Sequence, residues 1–442
     1  MSMYEPTAAD TAAAQRVLAW ALARLADREA VLPPAAPAAL PELSARGIGI
    51  EAAVGQLLGV VLPTAVPPDH PRYLAFIPGA PTVASAVADM ALSAAMVYGG
   101  SQLEAGLAVQ AEDAVIRWLA DLIGYPASAG GTFVSGGSIA TLSALVAARG
   151  ERYPATERQV VVAGASAHSS IAAAARVMGC RLVAAPPADA HGRLTAATLA
   201  TALQGHETAD VVAVVATAGA TNNGAVDDLA GLAELCRERG IWLHVDGAYG
   251  GAALLSERAR PLFAGLEAAD SFIVDPHKWL YAPFDCAAVL YRDADGARRA
   301  LTQEAAYLEW LTGEGEHNPS DLAIHLTRRI RGVPLWVSLL ANGWDAYRQA
   351  VDDCFAIAAY AADQVDRRPR LELVLEPELT VLLVRRRGWA QADYDAWSTR
   401  ALARGLAFVI PTRHGDETVL RLCFVNPLTS RADVDAVLDD LG

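Results

Sequence analysis

Lysine is nearly absent from this chain: of its 35 basic residues all but Lys278 are arginine. Arginine serves surface charge, ion pairing and phosphate binding. It cannot serve as a nucleophilic amine, because a guanidinium stays protonated where a buried ammonium readily gives up its proton. The surviving lysine is therefore read as one that does amine chemistry, most simply a Schiff base with a carbonyl. Its surroundings, Ser271-Phe-Ile-Val-Asp-Pro-His-Lys-Trp-Leu280, are apolar and aromatic, which argues against a stray surface lysine. Positive charge is scarce too. The net charge is −15, the pI about 5.0, and there is no basic run, which excludes nucleic acid and anionic membrane as expected partners. The five cysteines are scattered, odd in number and without a C-x-x-C pair, so neither a disulfide framework nor a metal site is expected. A reducing, cytoplasmic setting follows, and no N-terminal signal is visible. The stretch from Ala75 to Gly100 carries only Asp89 as a charge and is long enough on paper to span a bilayer. It is built of Ala, Ser and Gly with Pro78 and Pro81, and reads instead as a buried helix entered through a Pro-rich turn.

What is present is a chain of 442 residues, 53% hydrophobic and 19% charged, which suits a large enzyme with ample core. Residues 8–30 and 41–62 show helical spacing, are separated by prolines, and suggest an N-terminal arm that packs on another subunit. From about residue 104 the pattern becomes α/β. Strand-like runs at 132–134, 160–163, 181–185, 211–217, 241–245 and 271–274 alternate with helical stretches at 108–122, 168–179, 195–203 and 228–239. That rhythm predicts a largely parallel sheet covered on both faces. Residues 286–291 fit an added antiparallel strand. Residues 293–327 read as a long loop, then a long helix after Pro334 leads to strands at 371–376, 380–385, 406–411 and 418–425, with helices at 391–403 and 431–441. The expected organisation is an arm over 1–82, a large α/β domain over 83–333 and a small α+β domain over 334–442.

Five elements carry candidate chemistry. Ser135-Gly-Gly-Ser138 lies between a strand and a helix, where backbone N–H groups bind phosphate without positive charge. His168 opens a helix at a strand's C-terminal end, the edge of a parallel sheet where ligands bind; a helix-capping cluster explains it equally well in isolation. The polar turn Thr217–Gly224 follows another strand, and Asp227 beyond it reads as a helix cap. Asp246 ends an apolar strand, where a carboxylate is costly unless paired, and a cationic pyridinium nitrogen would pair it. Lys278 follows the next strand, 32 positions on. A phosphate cradle, a ring-stacking histidine, a pyridinium partner and an imine-forming lysine are together what pyridoxal 5′-phosphate (PLP) requires.

At these residues the chain resembles the group II PLP-dependent decarboxylases typified by aromatic-L-amino-acid decarboxylase. The resemblance runs from His70-Pro-Arg-Tyr-Leu-Ala-Phe76 into the small domain. It is carried most specifically by Ser138–Arg149, Ala167-His-Ser-Ser170, His244-Val-Asp-Gly-Ala-Tyr249, Asp275-Pro-His-Lys-Trp-Leu280 and Phe284-Asp-Cys286. It implies the α/β fold type I of aspartate aminotransferase and a homodimer with shared active sites. Carried over by position, Gly137, Ser138 and His277 resemble phosphate-site residues, and His168 the residue stacked on the pyridine ring. Thr221 and Ala248 line the cofactor, Asp246 is similar to the ring-nitrogen partner, and Tyr307 matches the loop tyrosine that protonates Cα.

The chain also departs from the family pattern. Asp275 stands where the animal enzymes have Asn. Phe76-Ile-Pro-Gly-Ala80 lacks the hydroxyl-bearing substrate contact of the aromatic enzymes, and Gly99-Gly-Ser101 replaces an aromatic-containing stretch. The implied reaction is decarboxylation of an L-amino acid, aromatic by family frequency, with an aliphatic substrate as the alternative. An aldehyde synthase is disfavoured by Tyr307, since those relatives carry Phe there. A PLP-binding protein without turnover finds little support in an intact site. An aminotransferase would need an arginine clamp, for which Arg421 is the candidate.

Overall fold

The computed structural model describes residues 4–28, 32–36, 38–150, 158–303 and 318–442. They form two sheets. The central one has seven strands: β1 (Gly130–Val134), β2 (Val160–Gly164), β3 (Arg181–Ala185), β4 (Val211–Thr217), β5 (Leu243–Asp246), β6 (Ser271–Val274) and β7 (Ala287–Tyr291), in the order β1-β7-β6-β5-β4-β2-β3. The ladder from β3 through β2, β4 and β5 to β6 is parallel, while β7 runs antiparallel to both β6 and β1. Every residue of β4 is buried, as expected of a strand covered by helices on both faces. The helices Ser169–Val177, Ala196–Ala202 and Leu229–Arg239 supply the crossovers. Parallel strands bring their C-terminal ends to one edge, so residues following β2, β4, β5 and β6 converge there.

The second sheet is antiparallel: β8 (Leu371–Leu373), β9 (Val381–Arg386), β10 (Ile410–His414) and β11 (Glu417–Cys423), in the order β10-β11-β9-β8. The helices Trp344–Asp366, Gln391–Ala403 and Arg431–Leu441 accompany it, around a core that includes Leu382, Tyr394, Trp397, Phe424 and Leu438.

Several sequence expectations need correction. Of residues 41–62, helix begins only at Ile50, after Gly49 adopts φ +83°. The long loop expected over 293–327 contains the helix Ala294–Leu301. It is capped by Asp293 and buries Ala294, Ala297 and Leu301, an i, i+3, i+7 stripe. The helix after Pro334 is two helices, Val333–Asn342 and Trp344–Asp366, parted at Gly343 with φ +73°. Within 75–100 the helix spans only Val83–Ala95, with Ser85 its one buried residue and Val83 and Val87 exposed. Among the described residues no helix is long and apolar enough to cross a membrane. The strand expected at 406–411 starts at Ile410, because Phe408 instead makes a parallel bridge with Tyr73. Tyr307 lies outside the described residues.

Candidate active site

The site is built on the C-terminal edge of the parallel ladder. Asp246 is the last residue of β5 and is buried; one oxygen, Oδ1, accepts from the Ala248 N–H at 3.1 Å. Burial raises its carboxyl above the ordinary range, and the Lys278 ammonium pulls the other way. Lys278 follows β6 and is held at 2.9 Å from Asp275 Oδ2, with its side chain 25% exposed. The amine itself is thus held by a buried carboxylate while part of the side chain stays accessible. Gly79 lies against the backbone beneath it: an added Cβ would collide with the His277 carbonyl, so only glycine lets the 76–80 segment approach this closely.

Asp275 is the most enclosed group here, 3% exposed, with Oδ1 buried and without a hydrogen-bond partner. It faces the start of the helix Gly137–Arg149. A Cβ on Gly137 would stand 3.0 Å from Asp275 Oδ2 and 3.4 Å from the Ala248 Cβ. That helix has no side-chain cap at its N-terminus, leaving first-turn N–H groups for a ligand. Ser138 is exposed at the same turn. His277 donates from Nδ1 to the Cys286 carbonyl at 2.5 Å and turns Nε2 toward Asp275 Oδ2 at 3.7 Å. Burial lowers its pKa, keeping the ring neutral against the pull of Asp275.

His168 follows β2 and is exposed. Its Nδ1 accepts from the Ser170 N–H at 3.2 Å, so it does cap a helix, and that bond leaves the neutral ring's proton on Nε2. Asp227 is not the helix cap expected of it. Asp228 caps Leu229–Arg239, while the Asp227 carboxylate accepts from Leu194 and Thr217 N–H groups, both at 2.7 Å, and ties two loops of this edge together.

Arg421 is no surface charge. It is 3% exposed in β11; Nε donates to the Thr221 carbonyl at 2.7 Å and Nη1 to the Phe76 carbonyl at 2.6 Å, while Nη2 is buried without a partner. Thr221 itself is exposed. Phe76 is held with φ +52°, its ring 54% exposed and tilted on Phe408 at 6.1 Å between centroids. Sequence reasoning saw these two residues separately. Nothing in the local pattern links positions 345 apart.

An uncapped helix start, a partly accessible amine, a buried strand-end carboxylate and an open imidazole on one sheet edge fit the phosphate, aldehyde, ring nitrogen and ring face of PLP. The fold and these groups define a fold type I PLP enzyme. Residues 51–386 match the pyridoxal-dependent decarboxylase conserved domain, and the chain belongs to that family, the group II PLP-dependent decarboxylases. It is 33% identical over 384 residues to aromatic-L-amino-acid decarboxylase of Bacillus atrophaeus, covering 83% of this chain and 79% of that one. It is likewise 33% identical over 416 residues to L-2,4-diaminobutyrate decarboxylase of Rhizobium meliloti (strain 1021), covering 91% and 83%. The crystal structure of Oryza sativa TDC with PLP and tryptamine superposes with a TM-score of 0.88 at 24% identity, over 99% of this chain and 98% of that one. The protein is a PLP-dependent amino-acid carboxy-lyase.

Proposed function

We propose that the substrate is an aromatic L-amino acid, converted to its amine and carbon dioxide. The observation that carries this reading is Phe76: an exposed ring held by a left-handed backbone, backed by Phe408, and set three residues from the Gly79 contact beneath Lys278. An aromatic side chain stacks on such a wall. The single unpartnered nitrogen of Arg421 also fits a decarboxylase. With its Nε–H committed to the Thr221 carbonyl and one Nη1–H to the Phe76 carbonyl, the guanidinium has no Nε–H left for a side-on grip of a substrate carboxylate. A loosely held carboxylate departs more easily than one stabilised in the ground state.

When bound, PLP supplies an electron sink for the pair released as the Cα–carboxylate bond breaks. Lys278 would provide the amine that holds the cofactor through its aldehyde. Asp246 would keep a proton on the ring nitrogen, and the first-turn N–H groups of Gly137 and Ser138, with His277 beside them, would seat the phosphate. His168 would cover one ring face, and Thr221 and Ala248 would border the ring. Tyr307 gives its phenolic proton to Cα after carbon dioxide has left. Exposed apolar residues on the helices Ala8–Ala26 and Val83–Ala95, Leu18, Leu22 and Val87 among them, support a homodimer with shared sites. The absence of a basic run and the free cysteines support a cytoplasmic enzyme.

Incubating holoenzyme with a pool of amino acids and identifying the amines by mass spectrometry tests the substrate. An aromatic amine is expected. A diamine or aliphatic amine as main product would overturn the aromatic assignment, and an aromatic aldehyde with ammonia would establish the oxidative alternative.

A further inference from the structure

We infer that Asp275 and the cofactor phosphate share a proton, so that this chain takes up about one proton on binding the phosphate. The inference rests on the phosphate lying at the start of the helix Gly137–Arg149. That start carries no side-chain cap, and a 97%-buried carboxylate is aimed at it, with Oδ1 unpartnered and 3.1 Å from where a Cβ on Gly137 would stand. Without ligand, the carboxylate is balanced by Lys278 at 2.9 Å. His277 Nε2, at 3.7 Å, belongs to a ring that burial keeps neutral. Across Ala248 stands Asp246, whose own proton affinity the Asp275 charge raises further, after burial. The Cys286 thiol, pushed up chiefly by burial, adds no charge.

A phosphate dianion on these N–H groups would set two like charges in contact inside an enclosed corner, with one ammonium between them. A proton resolves the conflict. The protonated carboxyl donates through Oδ1 to a phosphate oxygen, giving the orphaned atom a partner and removing the repulsion. An amide at this position donates an N–H without taking up a proton.

The test uses the full chain freed of cofactor and pyridoxine 5′-phosphate, which has no carbonyl and leaves Lys278 an amine. Calorimetry at pH 8, where the phosphate (second pKa about 6) is a dianion, in buffers of different ionisation enthalpy counts the protons exchanged. About one proton taken up is expected, with Kd weakening roughly tenfold per pH unit from 7.5 to 9. Asp275→Asn should abolish both the uptake and the slope. Unphosphorylated pyridoxine should exchange no proton. A wild-type chain that prefers the phosphorylated ligand but takes up no proton would overturn the inference, and so would uptake that survives in Asp275→Asn. No preference for the phosphorylated ligand at any pH would instead remove the phosphate from this helix start.

Discussion

Two walls meet at this site, and they are built differently. The cofactor corner, from Gly137 through Asp246 to Lys278, comes from one continuous α/β unit in which each group sits at a strand end or helix start. The wall proposed to face the substrate is held by Arg421, which joins Phe76 and Thr221, drawn from an N-terminal segment, a strand of the second sheet and a loop of the central sheet that also borders the proposed cofactor site. In the first, position follows from local order: a parallel ladder places whatever follows its strands on one edge. In the second, position follows from tertiary hydrogen bonds between distant residues. The corner is therefore set by the fold, whereas the wall can change with a single residue while the fold stays.

Substitutions at the two walls should then fail differently. At the corner, Asp246→Asn should keep PLP bound yet lower kcat by roughly 10²–10⁴-fold, since the ring nitrogen is no longer held protonated. Near wild-type turnover would remove the electron-sink role. Tyr307→Phe tests the step after carbon dioxide departs. Amine formation should slow, with aldehyde and ammonia appearing under air, whereas amine at the wild-type rate without aldehyde would pass the proton donor's role to another group. At the substrate wall, Phe76→Ala should raise KM about tenfold with kcat little changed, the loss expected of one aromatic contact that acts equally on ground and transition states. A large fall in kcat with unchanged KM would mean that Phe76 belongs to the chemistry instead.

The last effect bears on stability rather than turnover and concerns the loops joined by Asp227. Burial raises its carboxyl from 3.8 to about 7, against two backbone N–H donors. A raised folded-state value means the native chain holds a proton that the unfolded chain releases. The resulting stability is full below about pH 4 and lost as pH rises through 7, at most about 4 kcal/mol. Denaturant midpoints from pH 4 to 8 should show this slope, and Asp227→Asn should flatten it.

The same contrast sets how much was legible in the sequence. Strands β3, β4 and β6 and the helices Leu229–Arg239, Gln391–Ala403 and Arg431–Leu441 lie where apolar periodicity and turn residues place them. Asp246 and Lys278 were legible because a carboxylate at an apolar strand end and a lone lysine are each conspicuous. The helix Ala294–Leu301 was not, since its apolar stripe of two alanines and one leucine is hidden among charges. The burial of Arg421 was not legible either, because its partners are backbone carbonyls, which leave no mark in residue identity.

The most direct measurement is borohydride reduction of the holoenzyme followed by peptide mapping. A reduced pyridoxyl group on Lys278, the one lysine side chain available, is the expected result. A pyridoxyl group found elsewhere, or on no residue, would contradict the assignment of Lys278 as the cofactor's anchor.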